Sequence, residues 1–387
     1  SHVNIWADTA PDGSNGKNNA GQNSIVVGYQ NTTDNVAGHD GKVAIGAKNT
    51  STNNATTAVG NRNTATGGAA TAVGAGNNAS GAASLAVGNV SNANAKSAVA
   101  VGSYNNVNYT KGSWETTPKQ AGEYSTVIGN YSSATGTSAS AMGVYTNATG
   151  AGSFAAGYNN NAKGQNSVAI GSENTSHVAD TITLGQFNNA KTMGGISIGK
   201  NNMVDSTNGG TNFAQTRDEN SQIAIGRDNT ATHLDTIAIG RDTHATGSGA
   251  TAFGARAEAS GNNSIAIGQS GKDSDRVVAS GVNAIAIGMQ SQATGESAIA
   301  EGPGSRAGGK YGVALGRTTK ANAEAATALG NAAEANIANG VALGSSSVTT
   351  TDKGVVGYNP SDLHNRKYTN LQGNVQKATT AAVSIGN

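Results

Sequence analysis

The sequence predicts an all-β fold, a parallel β-roll built from 14-residue rungs of two short strands and two turns. Three observations carry that expectation. A short apolar run ending in Gly recurs along the chain, as VAIG at Gly46, TAVG at Gly60 and Gly74, and LAVG at Gly88; 22 such marker glycines define 21 intervals, of which 16 are 14 residues long. The residue two before the marker is Ala in 17 of 22 cases, and the residue five after it is Ala in 14 of the 16 regular units. Gly supplies 55 of 387 residues while charged residues reach only 12%, far below the roughly 25% of an ordinary globular domain.

A fixed period over the whole chain means a solenoid or array, and fourteen residues are too few for the helix pairs of helical repeats. In nine regular units a second Gly stands seven after the marker, as at Gly67, Gly81 and Gly136. Each half-rung therefore reads as one strand and one tight turn in which Gly adopts positive φ. The 47 Asn residues are expected in the turns and on wet surface.

Alternate residues of a strand face opposite sides, so the two small-residue columns must face each other inside a flattened coil. The flanks of the second column are polar, as with Thr64 and Thr66 around Ala65, and that strand faces water. The flanks of the first are large and apolar: Val168 and Ile170 around Ala169, Ile265 and Ile267 around Ala266, Ile285 and Ile287 around Ala286. Such a stripe on the outside of a coil is not tolerable for a monomer, so the pattern predicts obligate assembly.

Composition removes several function classes. The 24 Lys plus Arg and 23 Asp plus Glu nearly cancel with no clustering in sequence, which gives no footprint for nucleic acid. Without Cys there are no disulfides, zinc ribbons or thiol chemistry. No apolar run approaches the roughly 18 residues of a membrane-spanning helix. The six histidines are scattered singly on turns, no G-x-S-x-G or H-E-x-x-H motif occurs, and neither a metal nor a cofactor is expected. Left-handed β-helix acyltransferases have longer, three-sided coils, calcium-binding nonapeptides need a repeating Asp, and an ice-binding face needs regular Thr.

The repeat resembles the head repeats of trimeric autotransporter adhesins, the YadA-like family. The residues that carry the resemblance are Asn166-Ser167-Val168-Ala169-Ile170-Gly171, Asn263-Ser264-Ile265-Ala266-Ile267-Gly268 and the Ala134-Thr135-Gly136 half. It implies a left-handed β-roll in each chain, three identical chains about a threefold axis, and attachment to host cells, extracellular matrix or other bacteria. It also implies a bacterial cell-surface location, with outer-membrane anchoring through a domain absent from this chain (type V secretion). By this reading residues 1–24 form an N-terminal cap region in which Trp6 closes the stack. Residues 25–344 are the repeats, with insertions near 29–42, 103–125, 200–222 and 269–283. Residues 345–387 resemble a head insert and a last repeat before a neck and stalk that the chain lacks.

The insertions supply the binding candidates, since solenoid insertions often line the binding face. Tyr104, Tyr109, Lys111, Trp114, Glu115 and Tyr124 form the first candidate loop, because Tyr and Trp dominate many interfaces. Met203, Phe213 and Arg217 form a second, read equally as a contact loop or as a brace between chains, and the stretch from Lys272 to Arg276 reads as a solvated charged turn. Glu301 is the one charged residue immediately before a marker glycine, an axial polar position whose carboxyl must be protonated, paired with a basic residue such as Arg306 or Arg317, or set against a cation or water, with pairing the favoured reading. The expected function is non-enzymatic, multivalent adhesion, and the alternative is a structural spacer presenting another adhesive domain.

Overall fold

Two columns of small residues set the geometry of every rung. The structure, a computed structural model, describes residues 3–6, 23–107, 122–205, 221–352 and 383–385. These form an all-β parallel solenoid of about 21 turns, which divides into two compact units, Ser1–Gly194 and Gly195–Asn387. Within each unit a long strand is followed by a short strand of two or three residues. Successive long strands pair in parallel register: in the first unit Ala86 lies beside Ala72 and Ala100, and in the second Ala238 lies beside Ala224 and Ala252. Ala58, Ala72 and Ala86 of the long strands and Ala65, Ala79 and Ala93 of the short strands are fully buried, as the residue sizes require.

The marker glycine is a steric necessity. Gly60 has φ +122°, and a Cβ there would lie 2.0 Å from the carbonyl oxygen of Gly74 on the next rung. The second glycine has a different reason from the one expected. Gly67 and Gly81 are not among the residues with positive φ. A Cβ on Gly67 would nonetheless lie 2.0 Å from the carbonyl oxygen of Gly81, so close approach of the next rung excludes a side chain. Positive φ falls instead on residues such as Arg62, Ala69 and Tyr131.

Asn also departs from the expectation of turns and wet surface. Three residues after the marker, Asn31, Asn49, Asn63 and Asn77 are buried and form a ladder. Asn63 Nδ2 donates to the Val59 carbonyl at 2.9 Å and to the Gly74 carbonyl of the next rung at 2.7 Å. Its Oδ1 accepts from the backbone N–H and the side-chain amide of Asn77, both at 3.0 Å. The side chain thus satisfies backbone groups that the tight coil leaves without strand partners. Where Ser replaces Asn late in the chain, the backbone closes on itself: Ser291 N–H donates to Gly288 O at 3.2 Å and Ser305 N–H to Gly302 O at 3.1 Å. The long strands there shorten to three residues, as in Ile285–Ile287, against five in Val168–Ser172.

Both turns of the rung accept insertions. Asp34 to Gly41 and residues 108–121, 206–220 and 353–382 all follow a short strand, whereas residues 269–276 follow a long one. At the N-terminus Val3–Trp6 adds one more long strand, with Trp6 aligned to Gly28. At the other end Val383–Ile385 pairs with Val341, Ala342 and Leu343.

Candidate functional site

The long sheet turns its large apolar residues outward. Ala169 is buried while Ile170 beside it is exposed and Val168 is part-exposed. Ile265 pairs with Ile285 and Ile267 with Ile287, so each pair continues one outer column. The same outward columns expose Ile45, Ile128 and Met142 in the first unit and Phe253, Leu329 and Leu343 in the second. Glu301 keeps this register, lying between Ile287 and Leu315 on the outer face. Among the described residues neither Arg306 nor Arg317 forms an ion pair with it within the single chain. An open hollow beside it is lined by Glu301, Pro303, Leu315, Arg317 and Leu329.

The first candidate loop is divided by the fold. Tyr104 stands in the turn that follows a long strand, whereas Tyr124 stands in the turn that precedes one, at the opposite end of the flattened coil. Tyr124 packs under Lys96, whose Nζ is 5.8 Å from the ring centroid. Tyr109, Lys111, Trp114 and Glu115 lie outside the described residues, as do Phe213 and Arg217. Met203 opens the short strand Met203–Asp205 and is exposed.

What Tyr104 does join is an aromatic ridge that sequence reasoning missed. Its ring stacks on Tyr131 at 4.8 Å with planes 3° apart, Tyr131 stacks on Tyr145 at 5.4 Å, and Tyr158 meets Tyr145 edge-on at 6.2 Å. All four are about half exposed. Tyr104, Tyr131 and Tyr145 each stand two after a marker, and each has a left-handed backbone with φ between 52° and 56°. The turn imposes that conformation whatever the side chain, since Arg62, Val90 and Glu173 share it. The usable signal was Tyr at one fixed position in successive rungs, hidden because the insertion breaks the spacing between Tyr104 and Tyr131.

Charged groups brace the insertions. Lys42, fully buried, lies 3.2 Å from Asp34 Oδ1 and also donates to the His39 carbonyl, while His39 Nδ1 lies 2.5 Å from Asp34 Oδ2. Burial pushes the Asp34 carboxyl up, but His39, the Asn53 amide and Lys42 together outweigh it and hold it below its ordinary value. Arg276, expected in a solvated turn, instead reaches back to Asp242 at 3.0 Å, and Asp242 also lies 3.3 Å from His244. His244 stands on a short strand rather than a turn. Among the described residues no cluster of three or more potential metal ligands occurs.

This geometry has a counterpart among known families. The family model for the YadA head domain repeat matches residues 79–105, 121–146, 148–174, 223–243, 245–270, 279–305, 307–333 and 321–347, together about half of the chain. No curated protein sequence matches it. The rungs at Gly46, Gly60 and Gly74 precede the first match, yet they share its register strand for strand. That family is non-enzymatic, and its members are heads of surface-exposed trimeric autotransporters. The chain therefore belongs to the YadA head-repeat family, as the head of a trimeric autotransporter adhesin.

Proposed function

We propose that this head works as a homotrimer of left-handed β-rolls that attaches a bacterium to host cells, extracellular matrix or other bacteria, without catalysis. The observation that carries the reading is the outward apolar face of the long strands. Burying a Val or Ile is worth about 1.5–3 kcal/mol, and here these residues lie outside a core made of Ala. Two further chains packed about a threefold axis supply the cover, with Val168, Ile170, Ile265, Ile267, Ile285 and Ile287 in the shared core and Glu301 at an axial polar position.

The tyrosine ridge is the preferred contact surface, because rigid aromatic side chains give large contact area at low entropic cost. Three copies on one particle raise apparent affinity by roughly 10²–10⁴ without new contacts. The test is a binding screen of the chain against matrix proteins, host cells and other bacteria, run beside a Tyr131→Gly, Tyr145→Gly variant. Binding that falls about tenfold or more in the variant is the expected result. Binding by neither protein identifies a spacer, and equal binding by both removes the ridge from the reading.

A further inference from the structure

Charges spread through the sequence are gathered by the rung. One residue after the marker, Lys200 is aligned with Arg227 and Arg227 with Arg241, all three exposed on successive rungs of the second unit. Neighbouring strands are about 4.8 Å apart, so three cations stand in a straight row of about 10 Å. Like charges placed side by side across a sheet destabilise it. Nothing in the rung demands them, because the same position holds Asn61, Ala75, Ser103 and Gln186 in the first unit.

Of the nearby carboxylates, Asp228 pairs with Arg227 within the row and Asp242 is held by residues outside it. Asp228 lies 3.3 Å from Arg227 Nε and accepts from Asn201 Nδ2 at 2.8 Å. Asp242 is held by Arg276 at 3.0 Å, by His244 at 3.3 Å and by Arg256 at 3.6 Å. The adjoining insertion adds Lys272 with Asp273 and Asp275, the last taken by Ser274 at 2.9 Å. Among the described residues Lys200 and Arg241 have no acidic partner.

We propose that Lys200, Arg227 and Arg241 form a binding row for a linear sulfated polysaccharide. A single straight file of cations matches anions carried along one flexible chain, and Arg pairs bidentately with tetrahedral oxyanions. The turn carries no aromatic residue on these rungs, which removes the stacking platform that single-stranded nucleic acid uses.

The experiment measures binding of the full 387-residue chain to a size-defined heparin oligosaccharide as salt is raised from about 50 to 200 mM. The triple variant Lys200→Gln, Arg227→Gln, Arg241→Gln and the control Arg306→Gln, Lys320→Gln are compared at matched melting temperature. The expected result is salt-sensitive binding that weakens about tenfold or more in the triple variant, with a salt slope about two to three units shallower, and that is unchanged in the control. Absence of binding, equal binding by the triple variant, or tighter binding of duplex DNA than of the oligosaccharide would each overturn the assignment.

Discussion

Two residues after the marker stand Tyr104, Tyr131 and Tyr145 in the first unit, and one residue after it, at the end of the long strand, stand Lys200, Arg227 and Arg241 in the second. The backbone beneath is of one kind: marker glycines Gly143 and Gly226 have φ +131° and +123°, and buried Asn174 and Asn229 hold neighbouring rungs in both units. The rung therefore fixes its glycines and small core residues and leaves the two positions after the marker open to different chemistry. The two ridges differ in what they say about function. Stacked rings stabilise each other and so have a structural explanation of their own, whereas aligned cations repel and have none.

The largest expected effect tests the shared scaffold. Gly143→Ala and Gly226→Ala place a Cβ 2.0 Å from Gly157 O and 1.9 Å from Gly240 O, so each loses more than about 4 kcal/mol in denaturant unfolding or fails to fold. A mild effect in either unit would show that the two rungs are not built alike. Next come Asn174→Ala and Asn229→Ala, each removing two side-chain bonds to buried carbonyls. Both should cost about 1–3 kcal/mol, read by the same unfolding curves.

The ridges themselves should separate stability from binding. In Tyr131→Gly, Tyr145→Gly the lost stacking, about 0.5–1.5 kcal/mol per pair, is offset by relief of left-handed backbone worth about 1–2 kcal/mol per residue. Melting should shift little while adhesion falls. Replacing the three cations by Gln should leave melting equal or slightly raised, and a marked fall would mean that the row is paired within the assembly.

Acidification should give the smallest difference. Asp34 in the first unit and Glu334 in the second, the latter through its bond to Lys320, have folded pKa values below their ordinary 3.8 and 4.5. Their contribution is present above those values and is lost as pH falls through the lower folded ones. Melting compared at about pH 7 and pH 3 should therefore show a fall. The double variants Asp34→Asn, Lys42→Met and Lys320→Met, Glu334→Gln should each flatten part of it.

The rung could be read from sequence because its rules are steric: a side chain at Gly60 would meet the carbonyl of the next rung, and the fully buried column through Ala65 and Ala79 is filled mostly by Ala, with Val107 and Val204 its largest members. Asn63 was harder, since Asn is a common turn residue and only its fixed place, three after the marker in ten rungs, distinguishes a buried ladder. Tyr104 drew attention, but linear proximity tied it to Tyr124 rather than to Tyr131. Charge balance over the whole chain likewise concealed the row at Lys200, Arg227 and Arg241, because residues 27 and 14 positions apart become neighbours only once the coil is wound.

Everything proposed for adhesion rests on the outward columns that include Ile170, Ile267 and Ile287 being covered by identical chains. The mass of the folded protein in solution, followed on dilution, tests this most directly. The account predicts three times the 38.1 kDa chain mass, with unfolding accompanying dissociation. A stable, folded species at 38.1 kDa would contradict it.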